Sequence, residues 1–310
     1  MPLPRIIIHP GAPKTATTFL QNEVFNKHSD VLNIGRPNHG TPEHAALLRA
    51  LMHEEVDEDA VALIRAYFDQ ARASDRANSC KAIVYSNESL FDAPLCSVVA
   101  KRLKAALPEA TILLTLRNQL SLVGSMYSSD RAILKNVPAP YAGQPVTFDA
   151  WFEHAFGSPD TPDARCANYY RAYRAYTDAF GPDRVHVLLY EQLTNSKRDF
   201  IANLADVLGI DAGLLAAEDA APRVNPSPSK RLRSYQVFRS WFLPGRSLTN
   251  LLPGAAAIRQ GFDQILKRGE KTRVDLDGQK KARLEELYAP GNRELAKACG
   301  LDLAGEGYPT

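Results

Sequence analysis

The sequence predicts an α/β protein: a central parallel sheet of about five strands flanked by helices, with additional helices towards the C-terminus. Three observations predict it. Apolar runs of strand length recur along the chain, helical patterns fill the gaps between them, and the first run passes through a Gly/Pro turn straight into a helix start. Strands that alternate with helices are joined by crossovers and therefore pair in parallel. With 310 residues and 45% hydrophobic content the chain can bury a large core, and a single domain over 1–310 is expected.

The elements follow in order. Arg5–His9 holds three consecutive isoleucines, as a strand buried on both faces requires. Thr17–Lys27 then reads as a helix and Val31–Ile34 as a second strand. Asp57–Ala77 is helical, Ala82–Ser86 is a third strand, and Leu95–Ala106 is a helix that stops before Pro108. Thr111–Leu116 is the fourth strand, followed by helices over Leu120–Lys135 and Cys166–Ala179. Val185–Leu189 is the fifth strand. Helices over Gln192–Leu208 and Gln279–Cys299 each end before a glycine. Val137–Pro145 and Ala221–Pro228 are proline-rich loops of the kind that carry specificity. No internal repeat is visible.

The most informative stretch is His9-Pro10-Gly11-Ala12-Pro13-Lys14-Thr15-Ala16-Thr17-Thr18. A helix N-terminus offers unpaired N–H groups and a partial positive charge, so a lysine and hydroxyls placed there suit an anionic group without a metal. The nucleotide-binding pattern G-x-x-x-x-G-K-[ST] fails, because its glycine positions hold Ile8 and Pro13. A Mg²⁺-holding aspartate at a second strand end is missing too. The candidate strands run into Asn87-Glu88, Arg117-Asn118 and Glu191-Gln192.

These residues resemble the sulfotransferases that use 3′-phosphoadenosine 5′-phosphosulfate (PAPS). The stretch His9 to Gln21 is similar to that family's 5′-phosphosulfate loop, G-x-x-K-[ST]-G-T-[TS]-x-L. The stretch Leu114-Thr115-Leu116-Arg117 through Ser125-Met126-Tyr127 resembles its 3′-phosphate strand and helix, with a serine eight residues after the arginine. Ser86-Asn87-Glu88-Ser89-Leu90, Tyr190-Glu191-Gln192-Leu193 and Leu287-Tyr288-Ala289-Pro290-Gly291-Asn292 are weaker echoes, typical of bacterial members. The likeness spans most of the chain and implies a P-loop-like three-layer fold.

The resemblance implies transfer of a sulfuryl group from PAPS to an acceptor hydroxyl or amine, leaving adenosine 3′,5′-bisphosphate, with no metal. Negative charge then builds on the leaving phosphate. Lys14 and the amides of Thr15 to Thr18 are placed to absorb it, with Gly11 and Ala16 completing the loop. Arg117 and the Ser125 hydroxyl would take the 3′-phosphate, since a guanidinium fork matches phosphate oxygens. Alanine at 16, where the family has glycine, implies a residue already helical. Two residues compete as the base. Glu88 ends the third strand, where ligands bind in such sheets and partial burial would suit the role. His9 ends the first strand, and its alternative reading is a packed histidine bonded within the core.

The remaining features set bounds. A net charge of +2 and a pI near 8.3 argue against a general nucleic-acid binder. From Ala220 to Phe262 there are seven Lys or Arg, no Asp or Glu, and the aromatics Tyr235, Phe238, Trp241 and Phe242. Within 210–270 this could form a helical lid over the acceptor, a basic face for peripheral membrane contact, or an ordinary helix. Lys267-Arg268-Gly269 is a weaker candidate for a second 3′-phosphate contact. His39, His44 and His53 match no zinc spacing and read as solvated, and four dispersed cysteines form no C-x-x-C pair. No secretory leader or membrane span is read, so the cytoplasm is the expected compartment. The expected acceptor is a carbohydrate or glycolipid. An ATP-dependent kinase and a non-catalytic phosphonucleotide-binding protein are the competing functions.

Overall fold

The computed structural model describes residues 3–52, 58–91, 96–128, 146–213, 274 and 276–310. Five strands are present at β1 (Arg5–His9), β2 (Val31–Asn33), β3 (Ala82–Ser86), β4 (Thr111–Leu116) and β5 (Val185–Leu189). The helices in chain order are α1 (Thr17–Phe19), α2 (Pro42–Met52), α3 (Glu58–Arg72), α4 (Cys96–Ala106), α5 (Gln119–Tyr127) and α6 (Phe148–Phe156). They continue with α7 (Pro162–Cys166), α8 (Tyr169–Phe180), α9 (Tyr190–Asn195), α10 (Lys197–Leu208) and α11 (Gly278–Cys299). The strand positions match those read from the sequence to within one residue. The basic aromatic stretch, Lys267-Arg268-Gly269 and both proline-rich loops lie outside the described residues.

The chain divides into two compact units. The first holds 1–118, 165–224 and 287–310 and contains the whole sheet, in the order β2-β3-β1-β4-β5 with every pair parallel. Successive side chains of a strand point to opposite faces, and β3 is buried throughout, so both faces of the sheet are covered. Ile7, Val84 and Leu113 pack under Val24, Phe25 and the inward face of α10, namely Phe200, Ile201, Leu204 and Leu208. On the other side α4 packs against α3 and α8. Tyr169, Tyr173, Tyr176 and Phe180 recur at helical spacing on the buried stripe of α8. The result is a three-layer α/β unit.

Two helices depart from expectation for local reasons. The helix after the first turn runs as α for only three residues and continues as a π-helix over Leu20–Phe25, with Asn26 N–H reaching back to Gln21 O at 3.1 Å. The segment read as one helix over Gln192–Leu208 is two, broken at Ser196, whose φ of −141° is not helical. Asn195-Ser196 is a pair whose side chains compete for backbone groups, which favours helix ends over helix interiors.

The second unit comprises 119–164 and 225–286. Its described part is built on an aromatic cluster of Tyr127, Phe148, Trp151, Phe152 and Phe156. Thr147 caps α6 by accepting from Ala150 N–H at 3.3 Å. Lys280 lies 2.8 Å from Asp149 and over the rings of Phe148 and Phe152.

Candidate active site

β1 lies at the centre of the sheet, and between β3 and β4 the chain crosses from one side of it to the other. Such a switch point opens a crevice beyond the carboxyl ends of the strands, where ligands bind in open α/β sheets. His9, Ser86 and Leu116 end β1, β3 and β4 there. The loop after His9, the pair Asn87-Glu88 and Arg117 are therefore neighbours by topology.

The loop is held in a tight, left-handed path. Ala12 N–H donates to Thr115 O at 3.2 Å, which continues the β1–β4 pairing past the end of β1. Lys14 and Ala16 have φ of +66° and +65°, and among the described residues no other non-glycine residue has a positive φ. Left-handed residues in such a turn aim successive N–H groups into a common concavity that suits an anion. The expectation that Ala16 would be helical is therefore corrected. It keeps the conformation that glycine takes freely, at a cost of about 1–2 kcal/mol for a residue with a Cβ. Gly11 is required for a different reason: a Cβ there would lie 2.3 Å from Thr17 Cγ2 and 3.0 Å from the His9 ring.

The hydroxyls of the loop turn inward. Thr15 Oγ1 donates to Ala12 O at 2.6 Å and lies 2.8 Å from Thr115 Oγ1. Its one proton is thus committed, so Thr115 must donate to Thr15, and His9 Nε2–H in turn to Thr115 at 3.1 Å. At the other end Arg36 donates to Gln21 Oε1 at 3.1 Å, and Gln21 Nε2 donates to Ser86 Oγ at 2.9 Å. Ser86 then gives its proton to His9 Nδ1 at 2.8 Å. A one-way chain of donors therefore runs from Arg36 through His9 to the Ala12 carbonyl. Burial pushes the His9 pKa down to about 3, which agrees with a neutral ring protonated at Nε2. Of the two readings of His9, this geometry supports the packed histidine.

Glu88 begins a short 3₁₀ turn after β3, and its carboxylate accepts from the Thr17 hydroxyl. The expected partial burial is not observed, since Glu88 is exposed. Asn87 positions this turn: its N–H donates to His9 O at 3.1 Å, and its side chain accepts from Ser89 N–H at 2.9 Å. Lys14 and Thr18 are half-buried, whereas the Thr17 hydroxyl is buried against Glu88.

Arg117 leaves the end of β4 and donates from Nη1 to Lys14 O at 3.1 Å, so the arginine and the loop meet directly. Its guanidinium lies 4.3 Å from the centre of the Tyr190 ring. The backbone on either side is pinned, by Tyr169 OH donating to Arg117 O at 2.6 Å and by Asn118 N–H donating to Glu191 Oε1 at 3.0 Å. Ser125 is on α5, in the second unit. Ser86, Thr115, Gln21 and Tyr190 fall within the stretches that carry the family resemblance, where no role is expected of them individually, and Tyr169 falls outside those stretches; all five hold structure around the site. Ser86 and Thr115 had a signal: each is a polar residue inside an apolar strand.

Other sequence expectations resolve elsewhere. His44 is buried and its Nε2 lies 3.3 Å from Tyr85 OH, so it is a core residue and not a solvated one; His39 is exposed beside it, and His53 lies outside the described residues. Among the described residues no group of three His, Cys, Asp or Glu side chains could hold a metal ion. Among the same residues no helix is long and apolar enough to cross a membrane.

The profile of the Sulfotransferase family matches residues 4–213, about two thirds of the chain and all five strands. The chain belongs to the sulfotransferase family. Sulfuryl transfer is the family's chemistry, and the protein is accordingly a transferase. Comparison with curated proteins finds no match. Among solved structures, a sulfotransferase from Alicyclobacillus acidocaldarius superposes with a TM-score of 0.57 at 16% identity, covering 99% of each chain, and so shares the fold. A mouse sulfotransferase complexed with PAP aligns at a TM-score of 0.46 and 14% identity, over 96% of this chain and 88% of that one.

Proposed function

We propose that this sulfotransferase takes its sulfuryl group from PAPS and delivers it to a hydroxyl of a carbohydrate or glycolipid, or to an amine. The observation that carries the reading is the meeting of the Lys14 loop with Arg117 at the switch point of the sheet. That donor set is cationic and rich in backbone N–H groups, as a doubly phosphorylated nucleotide demands.

PAPS would supply the activated sulfuryl group. Lys14 and the amides of residues 15–18 would hold its 5′-phosphosulfate and offset the charge that builds on the leaving phosphate. The Thr15 and Thr17 hydroxyls act indirectly, because both are spent inside the protein. Arg117 would bind the 3′-phosphate, and Gly11 and Ala16 would give the loop its path. Glu88 is the proposed base, able to take the acceptor's proton at its exposed carboxylate, and its contact with Thr17 ties it to the anion loop. The base role is not proposed for His9, since both ring nitrogens are engaged and the ring is fully buried. The acceptor is proposed to be met in the cytoplasm.

Thermal-shift titration tests the reading, because a ligand that binds only the folded state raises its apparent stability. Adenosine 3′,5′-bisphosphate and PAPS should raise the melting temperature well above AMP or ATP with Mg²⁺. A larger shift with ATP and Mg²⁺ would favour a kinase instead.

A further inference from the structure

The C-terminal segment is fastened to the end of β4 by contacts that the chemistry above does not use. Asn118 Nδ2 donates to the carbonyls of Glu306 and Gly307 at 3.2 and 2.6 Å. Tyr308 OH donates to Glu191 Oε2 at 3.1 Å, while the other oxygen of that carboxylate accepts from Asn118 N–H. Asn292 Nδ2 donates to Pro309 O at 2.7 Å, which anchors the far end of the segment to α11. Leu303 and Tyr308 are buried, so the segment is packed as well as hydrogen-bonded.

These contacts converge on one residue. Arg117 is the residue before Asn118, and its guanidinium rests on the ring of Tyr190, the residue before Glu191. Tyr169 holds the Arg117 carbonyl and meets the Tyr308 ring edge-on at 6.5 Å. Gly307 fits closely: its φ is +77°, and a Cβ there would lie 2.9 Å from Asn118 Nδ2. Burial raises the pKa of Glu191, yet its contacts are those of a carboxylate accepting from two donors.

We infer that the C-terminal segment is a built-in clamp for the nucleotide site: Tyr308, through Glu191 and the Asn118 backbone, is a positioning residue that sets the direction of the Arg117 guanidinium. The inference rests on the proposed role of Arg117 toward a 3′-phosphate. The clamp acts on selectivity for that phosphate. A loosened Arg117 forfeits the geometric advantage of its two-pronged contact, whereas a nucleotide without the 3′-phosphate never engages it.

The experiment is a double-mutant cycle on the full chain, with affinities for adenosine 3′,5′-bisphosphate and AMP measured by calorimetry. Tyr308→Phe removes one hydroxyl and keeps the packing. It should weaken bisphosphate binding about fivefold to tenfold while AMP binding stays within about twofold. In an Arg117→Ala background the same change should leave bisphosphate affinity within about twofold. Gly307→Ala should repeat the Tyr308→Phe pattern, which guards against an effect peculiar to the tyrosine. Unchanged bisphosphate affinity in the single variants, or an equal loss with Arg117 already removed, overturns the clamp alone. No preference for bisphosphate over AMP in the unaltered chain overturns the functional reading and the clamp with it.

Discussion

Replacing His9 with glutamine changes how stability depends on pH, by an amount that the structure fixes. The ring is fully buried with a pKa near 3, against about 6.5 in the unfolded chain. Below pH 6.5 the unfolded chain therefore binds a proton that the folded chain refuses. Stability is intact above pH 6.5 and is lost as the pH falls towards 3. Between pH 7.5 and 5.0 the loss from this one group is about 2 kcal/mol, and by pH 3 it approaches roughly 4 kcal/mol. Glutamine can still donate to Thr115 but leaves the Ser86 hydroxyl without its acceptor, so the variant should be less stable at neutral pH by about 1–3 kcal/mol. Other shifted groups, among them His44 and His186 held down by burial and Asp30 held down by Lys81, are common to both proteins and cancel in the difference. Urea unfolding at pH 7.5 and 5.0 reads the quantity directly. The unaltered chain should lose about 2 kcal/mol more than His9→Gln over that interval. Parallel pH profiles would refute the neutral, doubly bonded ring and the donor chain built on it.

Three further substitutions test the loop. Gly11→Ala drives a Cβ into the Thr17 side chain and should cost about 1–3 kcal/mol in chemical denaturation, with nucleotide binding weakened; full stability would show that the loop does not close onto the helix start. Ala16→Gly relieves a left-handed alanine but adds unfolded-chain freedom, so a net gain of about 0.5 kcal/mol is expected, and a clear loss of stability would mean that residue 16 is helical after all. Lys14→Ala should lower turnover by roughly two to three orders of magnitude while the melting temperature moves little, and near-normal turnover in a sulfate-transfer assay would remove lysine from the proposed chemistry.

The sequence made the sheet legible because its signals are local. Ile6-Ile7-Ile8 and Ala82-Ile83-Val84 are short apolar runs, and the observed strands Arg5–His9 and Ala82–Ser86 contain them. The loop stands out in the sequence by its lysine and threonines, but its left-handed backbone does not. Ala16 argues for a helix by propensity, whereas in the structure it is left-handed, in a loop tied to β4 through Ala12 N–H and Thr115 O. Glu88 and His9 show the same limit in opposite directions. Sequence position put both beside the crevice, whereas burial and partners, which depend on residues about 70–110 positions away, left one exposed and locked the other in the core. The bond from Asn118 to Gly307 spans 189 residues and leaves no periodic trace in the sequence.

A crystal structure with adenosine 3′,5′-bisphosphate bound tests the central claim most directly. The account predicts the 5′-phosphate on Lys14 and the amides of residues 15–18, and the 3′-phosphate within hydrogen-bond distance of the Arg117 guanidinium. Nucleotide density at any other part of the chain, with Lys14 and Arg117 both away from phosphate, would contradict it.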